Sequence, residues 1–258
     1  IATGIYPPSI GGPATYTKLL ETELPKRGVS VRVVSFDRVR KYPKIIRHLI
    51  YFFLVLSEVR GVKYMYALDP VSVGFPVFLV SKITRKPFLL KVVGDYAWEQ
   101  GVQRYGVIEL LDEFVSNKKS HGISVRFLQW IQTTVARNAR VVIVPSKYLK
   151  GIVQKWGIAG DKIKVIYNTF EGIGGSEKTK HLNLTGRVIT SSGRLVPWKG
   201  FLVLIDCVHE LIKKFPDLKL FIIGDGPDRD TLKRRIQLLN LEQHVFLTGS
   251  LNKATLYE

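Results

Sequence analysis

Two basic residues stand five positions apart in the segment Ser192–Gly200, between a strand-forming stretch and a helical one. Arg194 offers a planar guanidinium fork and Lys199 a compact ammonium, a combination that suits the oxygens of a diphosphate. Because Pro197 stiffens the segment, we expect both side chains to converge on one ligand group. The alternative is that the two cations are solvated in a surface loop.

A second candidate is the pair Gly11-Gly12, which precedes Pro13 and a helical pattern. Glycine lets the backbone approach a ligand closely, and proline is tolerated where a helix begins. The loop would then present a helix N-terminus with free N–H groups, which can bind an anion. A glycine-containing turn without ligand contact is the alternative.

A third candidate is the turn that contains Gly224 and Gly226, after the apolar stretch Phe221–Ile223. It is not a dinucleotide fingerprint, because Arg229 stands where the third glycine would be needed. We still expect the turn to place backbone amides at a ligand edge. A plain tight turn is the alternative.

These loops need a scaffold, and the chain supplies an alternation of apolar strands and amphipathic helices. This pattern predicts parallel sheets covered by helices, in an α/β protein. We predict an N-terminal Rossmann-like domain over residues 1–170, a linker over 171–186 and a partial second domain over 187–258. Strands are expected at Ile1–Gly4, Val29–Phe36, Val62–Ala67, Phe88–Val93, Arg140–Val144, Lys162–Tyr167, Arg187–Ser192, Leu218–Ile223 and His244–Thr248.

Four of the predicted helices show a clear apolar face or a clear span. Two helices in the first domain are predicted from an apolar face that is expected to be buried, and two more are predicted in the second domain from their span. The faces are Tyr16, Leu19, Leu20 and Leu24, then Phe127, Leu128, Ile131 and Val135; the helices are Phe201–Phe215 and Asp228–Leu239.

The composition limits the class of protein. The chain has 258 residues, of which 46% are hydrophobic and 23% charged, as in a globular protein. The single cysteine, Cys207, excludes a disulfide framework. The longest apolar run, Leu49–Leu56, is too short to span a bilayer, and no signal peptide opens the chain, so we expect a cytoplasmic protein. Ile1 in place of a methionine, and a helical pattern that still runs at 256–258, lead us to expect a fragment.

The formal net charge of +18 is unevenly distributed. Residues 1–170 carry 26 basic and 11 acidic side chains, whereas residues 171–258 carry 13 and 10. Such a field attracts anionic partners to the first domain. Nucleic acid, an acidic membrane surface and a phosphorylated substrate all fit, and a generally basic proteome is the alternative.

Five stretches occur in an order that resembles the retaining glycosyltransferases of nucleotide-sugar family four, also called glycosyl transferases group 1. The resemblance implies the GT-B fold, with two Rossmann-like parallel-sheet domains facing a cleft, the second incomplete. It also implies an enzyme that moves a sugar from a nucleotide-diphosphate-sugar donor to a glycan or lipid-linked acceptor, with retention and without a metal or other cofactor. The stretches are Gly11-Gly12, Ile166–Phe170, Gly193–Gly200, Ile223–Pro227 and Phe246–Gly249.

The resemblance also implies roles by position. Arg194 and Lys199 are similar to the pair that holds the donor diphosphate and stabilises the charge on the leaving group. Gly12 is similar to the loop residue whose backbone faces the phosphates and the donor sugar. Gly249 and Ser250 match the loop near the nucleotide base.

The sequence departs from the family in two places. Many relatives carry a histidine after the fourth strand, whereas the segment Val92–Glu99 has Asp95 in that neighbourhood. Asp95 would accept a hydrogen bond from a sugar hydroxyl or orient the acceptor, and the alternative is that it only caps a loop. Glu99 is a weaker candidate. The family's Glu–seven residues–Glu motif is expected beyond Glu258. We therefore expect little or no transferase activity from residues 1–258 alone.

A basic stretch surrounds the apolar run Leu49–Leu56, with seven basic residues between Asp37 and Lys63. We expect it to dock on an anionic membrane surface and so reach a lipid-linked acceptor; an amphipathic core helix with a solvated basic face is the alternative. Two other functions remain open, a non-catalytic sugar-nucleotide binder and a basic nucleic-acid-binding protein. The second lacks a recognised nucleic-acid motif.

Overall fold

The computed structural model describes residues 1–9, 11–117, 121–169 and 186–250. The chain divides into two compact units, Ile1–Phe170 and Glu171–Glu258, each with its own hydrophobic core. The predicted linker, apart from Gly186, and the helical pattern at 256–258 lie outside the described residues.

The first unit is a six-stranded parallel sheet with the order β2-β1-β3-β4-β5-β6. Its strands are β1 Ala2–Thr3, β2 Val34–Ser35, β3 Met65–Ala67, β4 Phe88–Lys91, β5 Val141–Val144 and β6 Ile163–Val165. Its helices are α1 Gly12–Glu23, α2 Lys44–Glu58, α3 Gly74–Thr84, α4 Tyr96–Arg104, α5 Leu111–Ser116, α6 Ile123–Asn138 and α7 Lys147–Lys155.

Alternate residues of the central strands form the core of this unit. Phe88 and Leu90 of β4, with Val142 and Val144 of β5, are almost completely buried. α2 packs on α3 and α3 packs on α6, so these helices form a continuous layer. Tyr51 of α2 is fully buried, and its hydroxyl donates to the backbone carbonyl of Val34.

Two sequence predictions for this unit need correction. The strand expected over Val29–Phe36 is only the two residues of β2, because β2 is an edge strand whose one partner, β1, is equally short. Val29 itself is half exposed. On α6, Ile131 and Val135 are buried as expected, but Phe127 points to solvent.

The second unit is a smaller parallel sheet with the order β7-β8-β9. Leu220 and Ile222 of its central strand are fully buried against the two helices, together with Leu195 from a connecting loop. Cys207 is exposed on the first of these helices. The elements are β7 Val188–Ser192, α8 Phe201–Leu211, β8 Lys219–Ile223, α9 Arg229–Leu238 and β9 Val245–Gly249.

The α/β class with two parallel sheets is thus confirmed. None of the helices in the described ranges combines the length and the apolar character needed to cross a bilayer.

Candidate functional site

Backbone hydrogen bonds tie together the loops that follow β7, β8 and β9. The amide of Gly193 donates to the carbonyl of Ile223 at 2.9 Å, and the amide of Leu195 donates to the carbonyl of Asp225 at 3.0 Å. The amide of Gly224 donates to the carbonyl of Gly249 at 2.8 Å. The carboxyl edge of this sheet is therefore one connected surface, at the place where open α/β sheets bind ligands.

Gly224 and Gly226 are required by the contact between two of these loops. Gly224 has a φ of +144°, and a Cβ there would lie 1.9 Å from the carbonyl oxygen of Gly193. A Cβ on Gly226 would lie 2.2 Å from the carbonyl oxygen of Leu195. The amide of Gly226 donates to the side chain of Asp225. Since both glycine amides are engaged, these contacts favour the tight-turn interpretation, and ligand contact stays a prediction.

Arg194 and Lys199 lie on this edge as exposed cations. The residues between them anchor the loop, because Leu195 and Val196 are buried in the core. Lys199 ends a single 3-10 turn, Pro197–Lys199, and Gly200 leads into α8 in a left-handed conformation. Within the described ranges neither side chain pairs with a carboxylate. Two unpaired cations on an anchored loop can bind an anionic ligand without breaking an existing ion pair.

Arg229 is a third cation at this edge, and sequence reasoning assigned it no role. It is the first residue of α9, and its Nη1 is buried without a hydrogen-bond acceptor among the described residues. A Cβ on Gly249 would lie 3.7 Å from this nitrogen. The guanidinium therefore lies against the predicted base-binding loop, Gly249 and Ser250. Its place directly after the Gly226 turn is the signal that could have found it.

In the first unit, the N-terminus of α1 is open. Gly12 begins the helix, no side chain caps it, and a Cβ on Gly12 would meet no atom within 4 Å. Gly11 has a φ of +154° and a Cβ there would press on Ile5. Ile10, the residue before Gly11, lies outside the described residues. A cavity of about 410 Å³ opens beside the preceding segment and is lined by Tyr6, Pro7, Pro8, Ser9, Glu21, Val33, Ser35, Asp37 and Arg38.

Asp95 is almost fully buried and caps α4. Its Oδ1 accepts from the amide of Trp98 at 2.9 Å and from the Gln132 amide group at 3.0 Å, and its Oδ2 accepts from the Trp156 indole at 2.9 Å. Burial raises the pKa of Asp95, and these hydrogen bonds offset part of that effect. The capping alternative therefore describes its contacts, and a role at the acceptor stays a prediction. Glu99 lies beside Gly94.

Lys91, the last residue of β4, is a buried cation that sequence reasoning missed. Its Nζ donates to Oδ1 of Asn168 at 2.9 Å and lies 3.4 Å from the ring centroid of Tyr16. The hydroxyls of Tyr16 and Tyr66 are 3.2 Å apart, and burial, followed by this hydrogen bond, raises the pKa of Tyr66. A lysine that ends an otherwise apolar strand is the signal for this cluster.

Comparison with known proteins finds a family match in the last third of the chain. Residues 176–258 match the family model described as Glycosyl transferases group 1. Over 103 residues the chain is 36% identical to the N-acetylgalactosamine-N,N'-diacetylbacillosaminyl-diphospho-undecaprenol 4-alpha-N-acetylgalactosaminyltransferase of Campylobacter jejuni, which covers 39% of this chain and 27% of that protein. Over 233 residues it is 24% identical to Protein CapJ of Staphylococcus aureus, which covers 86% of this chain and 54% of that protein. The chain thus spans between a quarter and about half of these relatives.

Solved structures show the same fold. Anabaena Alr3699/HepE in complex with UDP and glucose matches with a TM-score of 0.65 and 19% identity, over 97% of this chain and 61% of that one. The pneumococcal O-GlcNAc transferase GtfA matches with a TM-score of 0.51 and 17% identity, over 78% of this chain and 37% of that one. The chain therefore has the fold of the GT-B glycosyltransferases, and its residues 176–258 match the model of the glycosyl transferases group 1 family.

Proposed function

We propose that the protein transfers a sugar from a nucleoside-diphosphate-sugar donor to a glycan or lipid-linked acceptor, with retention at the anomeric carbon. The observation that carries the proposal is the pair Arg194 and Lys199, exposed and unpaired among the described residues, on a loop that the core anchors within the family segment. A diphosphate offers oxygens to both the guanidinium fork and the ammonium point charge.

The two cations would act on the leaving group. As the bond from the anomeric carbon to the diphosphate breaks, negative charge builds on the departing oxygen. Fixed donors aimed at that charge lower the energy of the transition state, and they need little reorganisation because Leu195 and Val196 hold the loop. Arg194 and Lys199 supply this charge in our proposal, which involves no metal ion. Gly249 and Ser250 would lie near the base, with Arg229 behind them.

The known proteins support particular substrates. HepE from Anabaena has been solved with UDP-glucose, so we take a uridine diphosphate sugar as the first donor to test. The Campylobacter jejuni relative acts on a diphospho-undecaprenol-linked sugar, which supports a lipid-linked acceptor here. In the first unit, the open N-terminus of α1 and the adjacent 410 Å³ cavity, with Glu21 and Asp37 in its wall, offer groups for a phosphate and for sugar hydroxyls.

The test is the affinity of variants for UDP and UDP-glucose by calorimetry. We expect Arg194→Ala and Lys199→Ala each to weaken UDP binding roughly 10- to 100-fold, since each removes a charge-assisted hydrogen bond. Arg234→Ala and Lys233→Ala, at exposed positions of α9, are matched controls and should bind as the parent does. Unchanged affinity in both site variants would contradict the proposal.

Transfer itself separates an enzyme from a sugar-nucleotide binder. In the complete protein, incubation with UDP-glucose and an undecaprenyl-diphosphate-linked sugar should give a product whose anomeric configuration matches the donor, read by NMR, whereas residues 1–258 alone should give little or none. Nucleotide binding without product would favour the non-catalytic alternative, and an inverted product would contradict retention.

We propose that the first unit docks on the cytoplasmic face of a membrane through a surface of α2 and α3. Its apolar residues are exposed at positions that share the outer side of each helix, whereas Tyr51 and Val55 of α2 face the core. Lys82 lies within this surface on α3. The exposed apolar residues, which together with Lys82 we call the α2–α3 surface, are Ile46, Leu49, Phe53, Leu79 and Ile83.

A further inference from the structure

A groove of about 300 Å³ opens in the first unit and is lined chiefly by α6 and by the end of α7. It lies beside the helices that precede and follow β5, whereas the Gly11-Gly12 loop follows β1, on the other side of β3 and β4 in the sheet. The residues that we use to define this α6–α7 groove are Gln129, Trp130, Thr133, Arg137, Lys155 and Trp156.

The floor of the groove is fixed by buried hydrogen bonds. Asp95 accepts from Gln132 of α6 and from the indole of Trp156, which follows α7. Gln132 accepts in turn from the amide of Ala97 in α4 at 3.0 Å. Because these bonds join three helices through side chains that exclude water, the groove has its shape before any ligand arrives. A preformed groove loses little entropy on binding.

One wall of the groove presents an aromatic ring to solvent. Trp130 is 55% exposed, although its ring is held from one side by stacking on Phe127 at 5.8 Å between centroids. The side chains of Gln129 and Thr133 lie on the same helix and line the same groove. A flat apolar surface beside amide and hydroxyl groups matches a sugar ring, which has an apolar face of C–H groups and a polar edge of hydroxyls.

The rim carries positive charge. Lys155 is paired with Asp112 at 3.1 Å. Arg137 is exposed, lines the groove and has no carboxylate partner in the part of the chain that the structure describes. A free guanidinium fork binds a carboxylate in two parallel hydrogen bonds. The groove therefore favours a sugar that bears an acidic group over a neutral one.

We propose that the α6–α7 groove binds a carboxylate-bearing saccharide unit of a glycan, with the sugar ring on Trp130 and the carboxylate on Arg137. This site goes beyond the proposed transfer reaction, because it requires neither the donor nor the residues of the second unit. It would hold an acidic glycan on the protein during repeated encounters with the reacting end.

The experiment is a titration of the whole chain followed by tryptophan fluorescence. The probe is a tetrasaccharide of alternating glucuronic acid and N-acetylglucosamine, and chitotetraose is its neutral counterpart. We expect saturable binding of the acidic probe and clearly weaker binding of chitotetraose. Displacement of the acidic probe by equimolar inorganic phosphate would show a simple anion site and overturn the proposal.

Variants test whether the probe binds in the groove. Trp130→Ala should weaken binding of the acidic probe about tenfold, and Arg137→Gln should bring its affinity down to that of chitotetraose. Tyr64→Ala, a similarly exposed aromatic residue just before β3, and Arg126→Gln, an exposed arginine of α6 outside the groove lining, are the matched controls.

The proposal is overturned if both groove variants bind the acidic probe as tightly as the parent does. It is also overturned if these variants lose binding to vesicles and keep binding to the saccharide. All four variants alter exposed side chains, so each should fold as the parent does. UDP affinity, measured in the same preparations, should be unaffected, which keeps this test separate from that of Arg194 and Lys199.

Discussion

At the scale of single residues, the buried carboxyl group of Asp95 should leave a signature in the pH dependence of stability. Burial raises its pKa above the unfolded value of about 3.9, so the folded state binds a proton more readily. This group therefore contributes stability that is fully present below the unfolded pKa and is lost as the pH rises through the folded pKa.

We predict that Asp95→Asn removes this loss. The variant should be less stable overall, because an amide nitrogen cannot accept from the Trp156 indole. The difference in unfolding free energy between parent and variant should nevertheless shrink as the pH rises from about 4 to about 7. Urea denaturation at a series of pH values measures it.

Asp112→Asn is the control of opposite sign. Hydrogen bonds from Tyr148 and Lys155 hold the pKa of this exposed carboxyl below its ordinary value, so its contribution is present at higher pH and is lost as the pH falls. The unfolding free energy of the parent should therefore increase relative to that of this variant as the pH rises. A parallel response of the two variants would contradict the assignment of Asp95.

Lys91 allows a test of what its buried side chain does. In Lys91→Met the terminal methyl group takes the place of Nζ against the Tyr16 ring, and Asn168, which is exposed, can bond to water. Since an apolar replacement also removes the cost of a buried charge, we expect the unfolding free energy to stay within about 1 kcal/mol of the parent or to rise. Lys91→Ala should lose about 2–3 kcal/mol through the cavity that it leaves. If Lys91→Met loses as much as Lys91→Ala in urea denaturation, the ammonium group and not the stem holds this site.

At the scale of elements, the contact between the loops after β7 and β8 depends on a missing side chain. Gly224→Ala places a methyl group 1.9 Å from the carbonyl oxygen of Gly193, at a positive φ. We expect the second unit to lose about 2–3 kcal/mol of unfolding free energy. Gly151→Ala in α7 is the matched control, because its Cβ would meet no atom within 4 Å and the change should stabilise by about 0.5–1 kcal/mol.

Thermal denaturation followed by far-UV circular dichroism measures both variants. Equal melting temperatures for Gly224→Ala and the parent would show that the two loops can separate at little cost. They would also remove the structural role that we give to this glycine.

The sequence predicted the strands well where burial on both faces makes them apolar, as in Phe88–Val93 and Arg140–Val144. It overestimated Val29–Phe36, because β-branched residues favour strands while the sheet decides how many of them find a partner. The apolar pattern of α6 also could not show that Phe127 is exposed, since periodicity does not reveal how much of an apolar face the rest of the fold covers.

The candidate site was predictable in its motifs and not in its contacts. Arg194 and Lys199 are recognisable because their residue types and spacing are local properties. The bond from Lys91 to Asn168 spans 77 positions, and the meeting of Gly224 with Gly193 depends on the pairing of two strands. Both arise from tertiary packing, which composition and spacing do not encode.

At the scale of the whole molecule, the charge asymmetry predicts salt-sensitive binding to membranes. The first 170 residues carry most of the net charge of +18, and basic side chains near an anionic surface contribute about 1 kcal/mol each. We expect co-sedimentation with phosphatidylglycerol-containing vesicles, weak binding to pure phosphatidylcholine, and release as the salt concentration approaches about 1 M.

The α2–α3 surface supplies the matched variants for this experiment. Leu49→Asn combined with Phe53→Asn should reduce vesicle binding several-fold, whereas Val203→Asn, at an exposed apolar position of α8, should not. Binding that ignores lipid charge, or that survives the double substitution, would remove this surface as the docking site. Retention of duplex DNA without UDP binding would instead favour the nucleic-acid alternative.

The main-chain bonds among Gly193, Gly224 and Gly249 have a consequence for how such proteins diversify. The frame that carries the loops after β7, β8 and β9 is built without the side chains of Arg194, Lys199 or Ser250. A lineage can therefore exchange those side chains one at a time and keep a folded protein at every step. Under the proposed function, descendants of one ancestor can then come to prefer different sugar nucleotides while their main chains remain nearly superimposable.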